Sequence, residues 1–347
     1  MTGQLLLLDI GGSRTRAAIY AVNTNEFSKV HYEKVMTMHI KDIAQFISEF
    51  LRINSEMKEE DTSLIIAAAG PLRKGIIELH NSTLSIDRRK IERQFNFKNI
   101  LLVNDVIAAA ARINAQYSRI DKKKLFMDGD MKLNGARFIM LGEEDYEPEC
   151  DDNSALTVIK SGTGLGIASA RKANAAPEKT LYTASEAARL PAQSFDSEDA
   201  DMIRYIFEKY DRLAALEDMS SGKGIEDYYE LLTSKNKSAK QMCVDYDEDL
   251  SSAQSLRFFL KNQGRIAAAA ANIFVPYNGI IITGNIISSA KELIKDSGLR
   301  REFLTYASLP HSDSIPLILY IEHDVNIKGC IEIAAQKLNI SNPTIKD

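Results

Sequence analysis

Apolar and polar residues follow two rhythms along this chain, and the places where one gives way to the other predict an alternation of strands and helices. Leu5 to Leu8 form an apolar run within Gln4 to Asp9, which reads as a buried strand ending on a carboxylate. Gly11 and Gly12 follow as a tight turn, then Thr15 to Tyr20 as a second strand and Lys29 to Glu33 as a third. From Ile40 to Leu51 the apolar residues (Ile40, Ile43, Phe46, Ile47, Phe50, Leu51) take helical spacing, the pattern of an amphipathic helix. Leu64 to Ala69 is again a buried strand, stopped by Gly70 and Pro71, and Ile86 to Phe95 reads as a short helix. Ile100 to Val103 is a further strand with Asn104 and Asp105 at its C-terminal end, and Val106 to Ile113 is helical.

Ala115 to Asn153 breaks the pattern. It is rich in Asp, Glu, Lys and Asn and reads as a connection between domains or a surface insertion. Regularity returns with the strand Ala155 to Lys160, the turn Ser161-Gly162-Thr163-Gly164 and the strand Leu165 to Ala170. Ser197 to Leu260 is mostly helical, and Gly264 to Phe274 is an alanine-rich helical segment that lets neighbouring backbones pack closely. Gly279 to Thr283 is a strand ending at Gly284, with a helix from about Ile286; Pro316 to Tyr320 is the last strand and Ile327 to Leu338 the last helix. Strands alternating with helices predict an α/β sheet with crossovers. Each half opens the same way, as strand, glycine turn, strand. At 347 residues the chain is long for one core, so two domains are expected.

Composition removes several function classes. The net charge is −5, and no clustered basic face suggests a nucleic-acid partner. The densest basic run, Lys122 to Lys124, lies between Asp121 and Asp128 and reads as a solvated loop. Cys150, Cys243 and Cys330 are far apart and outside any CxxC pattern, so neither a disulfide framework nor a zinc site is expected, and a cytoplasmic setting fits. No window reaches the roughly eighteen apolar residues of a membrane helix. Leu5 to Leu8 meets Asp9 too soon for a signal peptide.

The candidate chemistry begins at the two turns. In Asp9-Ile10-Gly11-Gly12-Ser13-Arg14-Thr15 a carboxylate ends a strand and two glycines follow, which allows positive φ and lets backbone N–H groups approach an anion. Ser13 and Thr15 add hydroxyl donors, and Asp9 is suited to hold Mg²⁺ through water, because that ion keeps much of its hydration shell. Ser161-Gly162-Thr163-Gly164-Leu165-Gly166 repeats the logic. Either turn alone also suits an ordinary β-hairpin. Two of them, one opening each half, suit a clamp on the phosphates of one nucleotide.

Asp9-Ile-Gly-Gly-Ser resembles the first phosphate motif of the hexokinase, actin and heat-shock ATPase superfamily, and Ser161-Gly-Thr-Gly-Leu-Gly resembles the second. Within that superfamily the chain is most similar to bacterial-type glucokinases. Leu102-Val103-Asn104-Asp105 matches their Asn-Asp after a strand. Glu217 followed by Ser220-Ser221-Gly222-Lys223-Gly224 resembles their Glu before a Ser-Gly-x-Gly helix start, and Ile281-Ile282-Thr283-Gly284-Asn285 the strand and turn beside the adenosine. The resemblance covers nearly the whole chain, with extra residues around 118 to 136. It implies a two-domain actin-like (ribonuclease H-like) fold with the nucleotide and sugar in a cleft between domains. The expected domains are 1–112 plus 325–347, and 113–324.

The implied activity is ATP- and Mg²⁺-dependent phosphorylation of the 6-hydroxyl of glucose or a close hexose by an enzyme able to form a homodimer. Asn104 and Asp105 are then expected to hydrogen-bond the sugar, with Asp105 taking the proton of the attacked hydroxyl. Asp105 equally suits the N-cap of the following helix. Glu186 and Glu217 are further sugar ligands by the same resemblance, and Gly11, Gly12, Ser13, Thr15, Ser161, Gly162, Thr163, Gly164 and Gly284 the nucleotide set.

The chain also departs from the family. It has no Trp, and His80-Asn81-Ser82-Thr83 only loosely echoes the family's sugar segment. Asn285 stands where a second glycine is common. Glu186-Ala187-Ala188-Arg189 replaces Glu-Gly-Gly-His. An Arg at that end of the sugar suits an acceptor with a C1 carboxylate, such as gluconate or 2-keto-3-deoxygluconate; Arg189 equally suits an ion pair with Glu186 or a solvated position. Two other classes compete. A sugar-sensing regulator on this fold usually carries an added DNA-binding segment, and the first strand begins too near residue 4 for one at the N-terminus. An actin- or chaperone-like ATPase has no sugar acceptor, against which Asn104-Asp105 argues.

Overall fold

The computed structural model describes residues 2–79, 84–142, 148–173, 176–338, 340 and 343–346. The chain divides into two compact units, Met1–Ala115 with Asp324–Asp347, and Gln116–His323. His80 to Thr83, the loose sugar-segment echo, lies outside the described residues.

In the first unit Thr2–Ile10, Arg14–Asn23 and Glu26–Met36 form consecutive antiparallel hairpins, and Thr62–Ala68 and Asn99–Asn104 extend the sheet in parallel beside Thr2–Ile10. Leu5 to Leu8 are all at most 2% exposed, because both faces of this central strand are covered, which is why the run is continuous rather than alternating. Leu6, Leu8, Leu64 and Ile66 pack with Ile47 and Phe50 of the helix Ile43–Ile53. That helix is capped by Asp42, whose side chain accepts from the Gln45 N–H. The last helix, Val325–Lys337, lies against Thr2–Ile10 and Thr62–Ala68. Its Gly329 sits so close to the Ala108 carbonyl of the helix Asp105–Tyr117 that a Cβ would come within 1.8 Å.

The second unit repeats this order. Leu156–Ser161, Leu165–Ala173 and Ala176–Ser185 form antiparallel hairpins, and Gly279–Thr283 and Leu317–Ile321 continue in parallel beside Leu156–Ser161. Both units therefore carry the ribonuclease H-like sheet of the actin-like fold. One face of the second sheet (Ile159, Ile167, Ile280, Ile282, Leu319) packs on Leu256, Phe259, Ile266 and Ala270. These come from a single 25-residue helix, Leu250–Phe274, that runs through the expected alanine-rich segment without a break. No helix among the described residues is long and apolar enough to cross a membrane.

Three parts of the sequence reading need correction. The stretch from Ala115 to Asn153 is not irregular: it holds the end of Asp105–Tyr117, the helix Lys122–Asp128, and a hairpin of Asp130–Leu133 with Ala136–Met140 that joins the second sheet beside Leu317–Ile321. Asn134 and Gly135 make that hairpin with φ of 48° and 82°, the positive values an Asn-Gly turn supplies. Ala176–Ser185 was not expected as a strand. The helix expected from Ile86 begins at Arg88, capped by Asp87; Ile86 belongs to a small sheet of Leu72–Arg73, Ile76–Glu78 and Ser85–Asp87.

Candidate active site

The hairpin register sets Arg16 directly across from Asp9 at the end of the first strand. Opposite charges at facing positions attract, and Arg16 Nη1 lies 2.6 Å from Asp9 Oδ2. Asn326, in the first turn of the last helix, donates its Nδ2 to the other Asp9 oxygen at 2.7 Å. Arg16 also reaches Asp324 at 3.2 Å, and the Tyr32 hydroxyl donates to Asp324 at 3.0 Å. Burial alone would lower the Arg16 pKa; the charge and hydrogen bond of Asp9 outweigh it and hold the guanidinium above its ordinary value. Burial and the Asp324 charge push the Tyr32 phenol up to about 12, so it stays a neutral donor.

Asp9 is only 2% exposed, and each of its oxygens already accepts a hydrogen bond. Among the described residues no group of three or more His, Cys, Asp or Glu could cage a metal ion. The described residues therefore offer no all-side-chain cage for Mg²⁺. A hydrated ion fits: the buried Asn326 Oδ1 beside Asp9 has no partner among the described residues, and together the two side chains present oxygen acceptors to metal-bound water.

At the first turn Gly11 donates its N–H to the Arg14 carbonyl at 3.0 Å. Thr37 closes the turn from behind. Its hydroxyl donates to the Gly11 carbonyl at 2.8 Å, its N–H donates to the Ser13 carbonyl at 3.1 Å, and it shares a 3.0 Å hydrogen bond with the Thr15 hydroxyl. Thr15 is therefore a brace inside the protein, 0% exposed, and not a hydroxyl offered outward. Strand alternation is the reason: Thr15, Ala17 and Ile19 share one face, and that face is core. Gly12 and Ser13 are exposed at the tip.

Asn104 is the residue that binds the helix start at the next site. Its Oδ1 accepts from the Val106 N–H at 3.0 Å and its Nδ2 donates to the Gly70 carbonyl at 2.9 Å. Asn104 is 8% exposed and ties the ends of two parallel strands together. Asp105 follows as the first residue of Asp105–Tyr117, partly buried, at the carboxyl end of the strands where open α/β sheets present ligands.

The second turn is held by more distant residues. Ser161 is 0% exposed, and its hydroxyl donates to the Ser220 carbonyl at 2.6 Å, so like Thr15 it faces inward, on the core side with Ile159. Gly162 donates its N–H to the Gly164 carbonyl at 2.8 Å, and Gly222, opening the helix Gly222–Thr233, donates to the Gly162 carbonyl at 2.7 Å. Ser221 caps that helix by accepting from the Gly224 N–H at 3.1 Å. Gly284 has φ of 146°, and a Cβ there would lie 1.7 Å from the Ser161 carbonyl oxygen, so only glycine fits. Gly11, Gly12, Gly162 and Gly164 are not among the positive-φ residues. What they contribute is the missing side chain: at Gly12 and Gly162 a Cβ would meet nothing within 4 Å, and at Gly164 it would come within 3.1 Å of Glu217 Oε1. Thr163 is exposed.

Glu217 is thus beside the second turn. Glu186 and Arg189 lie at the two ends of a short 3-10 turn after Ala176–Ser185, both exposed, joined by the Arg189 N–H donating to the Glu186 carbonyl at 2.9 Å. Among the described residues no ion pair joins Arg189 to Glu186. Arg16, Thr37, Asn326 and Gln263 escaped the sequence reading. For Arg16 a signal existed: it stands as far after the first turn as Asp9 stands before it. Thr37 directly follows the adjoining third strand, and Asn326 and Gln263 come from remote segments.

A family model described as Glucokinase matches residues 6–337. The glucokinase of Nostoc punctiforme is 23% identical over 366 residues, covering 96% of this chain and 99% of the relative. Among solved structures, glucokinase from Balamuthia mandrillaris in complex with glucose has a TM-score of 0.74 at 18% identity, over 96% of this chain and 94% of that one. A ROK family glucokinase from Streptomyces griseus, in complex with glucose and AMPPNP, has a TM-score of 0.61 at 16% identity, over 96% of this chain and all (100%) of that one.

Proposed function

The chain belongs to the glucokinase family, and from that premise we propose that it is an ATP-dependent glucose kinase, with Asp105 as the base for the attacked 6-hydroxyl. The observation that carries the reading is the whole-chain family match joined to the position of Asp105, after a strand end that Asn104 already secures. Phosphoryl transfer needs the phosphates held, the hydroxyl placed and its proton removed. The turn tips at Gly12-Ser13 and Gly162-Thr163 are where phosphate oxygens approach backbone and hydroxyl donors, the open space at both glycines leaving room for them. Ser161 and Thr15 hold these tips from inside. Asp105 orients the sugar hydroxyl and accepts its proton, while Glu186 and Glu217 accept hydrogen bonds from other hydroxyls. Mg²⁺, when bound with ATP, neutralises phosphate charge; Asp9 and Asn326 would meet it through water. The sugar-acid alternative that Arg189 raises is not better supported, since the relatives the chain resembles are glucokinases.

Coupled ADP release with glucose, other hexoses and gluconate tests the assignment. Asp105→Ala should lower kcat by roughly 10² to 10⁴ and leave ATP binding nearly intact, the usual loss for a positioned general base. A kcat close to that of the unaltered enzyme would remove Asp105 from the chemistry. ADP release that ignores added glucose would overturn the kinase reading.

A further inference from the structure

Gln263 lies midway along Leu250–Phe274 and is 0% exposed. Its Nε2 donates to Ser161 Oγ at 3.2 Å and to the Ser220 carbonyl at 3.0 Å, while Ser161 Oγ donates to the same carbonyl at 2.6 Å. Three segments, separated by 102 and 43 residues in sequence, thus meet in one buried triangle of hydrogen bonds. The amide has a cost: Gln263 Oε1 is buried without a partner among the described residues. An unpaired buried oxygen destabilises, and Met or Leu would fill the same space without it. What an apolar residue would not supply is the two-pronged donor that fixes the base of the glycine turn.

We propose that Gln263 is a positioning residue of the ATP-phosphate turn, acting through Ser161. The proposal rests on the reading that Gly162 and Thr163 meet the phosphates. Ser161 is the last residue of its strand, so its orientation sets where the next backbone groups point. It is held on both sides: the hydroxyl by Gln263 and Ser220, the carbonyl by close packing against Gly284. Backbone donors stabilise transferring phosphate only when they are aimed in advance, because reorienting them during the reaction forfeits most of the benefit. Gln263 touches neither nucleotide nor sugar; it keeps the turn aimed.

The test is Gln263→Met, which keeps length and bulk but removes the donor. The KM for ATP should rise by roughly three- to tenfold, the value of one net hydrogen bond, with the KM for glucose unchanged. A residue that merely stabilises the fold would lower the melting temperature and the active fraction and leave both KM values alone, and that result would overturn the proposal. Ser161→Ala gives a second route should Gln263→Met fail to fold. It should raise the KM for ATP similarly, and where both fold, the double variant should show little beyond either single change. Gly162→Val separates this proposal from the reading beneath it. Its Cβ enters open space over the turn, with nothing within 4 Å. If Gly162→Val leaves the KM for ATP unchanged, the turn does not meet ATP and both readings fall. If Gly162→Val raises it and neither Gln263→Met nor Ser161→Ala does, only the positioning role falls.

Discussion

The glycine turns of the two units close the same kind of hairpin in sheets that share a five-strand core order, yet they are held in place differently. The first is held from close by. Thr37, at the end of the adjoining third strand, supplies the hydroxyl and N–H that fix Gly11, Ser13 and Thr15. The second draws on three distant segments: the Ser220–Gly222 helix start, Gln263, and Gly284. A turn fixed within its own meander keeps its shape as long as the hairpins pair. A turn fixed by remote helices is only as well aimed as the packing of those helices, so perturbations of the helical layer should reach the second turn and leave the first alone.

The largest effect should come from Gly284→Ala. With a Cβ 1.7 Å from the Ser161 carbonyl and φ of 146°, the substitution must displace the second turn or strain the backbone. A loss of about 3 kcal/mol or more in unfolding free energy is expected, from steric overlap and backbone strain together. Denaturant unfolding measures it; a loss below about 1 kcal/mol would mean that the contact with Ser161 yields easily and that the second turn is less tightly held than described.

Thr37→Val probes the first turn at nearly constant shape. It removes the part-buried donor to Gly11 and the buried partner of Thr15, and should cost about 1–3 kcal/mol. Amide exchange should quicken around Gly11 to Thr15 and stay unchanged around Ser161 to Gly164. Faster exchange at both turns would break the contrast between local and remote support.

The smallest effect is a pH dependence of the helical layer. Asp196 contacts Lys261 at 2.9 Å and Arg265 at 3.0 Å, on either side of Gln263. Burial alone would raise the Asp196 pKa, but Lys261, the Asp199 N–H and Arg265 outweigh it and hold the carboxyl well below the usual range. A carboxyl lowered by folding contributes stability above its unfolded value of about 3.9 and loses it as pH falls toward the folded value. The group is more than a third exposed, so solvent screening limits the contribution to about 1 kcal/mol or less. The stability difference between the unaltered protein and Asp196→Asn should accordingly shrink from pH 5 to pH 3. A constant difference would show that Asp196 acts through geometry and not charge.

Much of this was legible in the residues themselves. Apolar runs located the central strands, and Asp9 directly after one and Asn104-Asp105 directly after another could be placed at strand ends. The Asn134-Gly135 hairpin was equally legible, since that dipeptide supplies two positive-φ residues, but the polar composition around it masked the signal. Ala176–Ser185 was harder. Leu181 is 60% exposed, and the strand lies at the sheet edge, so its apolar residues do not mark a buried face.

The doubled strand–turn–strand plan and the chemistry at each turn are legible along the chain, because both depend on adjacent residues. Which way that chemistry points depends on the folded packing around it. Thr15 and Ser161 look like ligand-facing hydroxyls when read along the chain and are internal braces when folded, because strand parity and the packing of Thr37 and Gln263 settle their direction. Gly284 looks like one more flexible turn residue and is the glycine with the tightest steric requirement near the second turn, because a strand end 123 residues earlier in sequence presses its carbonyl against it. Hydrogen-bond partners so far apart in sequence leave no local pattern; they exist only once loop closure has been offset by the packing that brings them together.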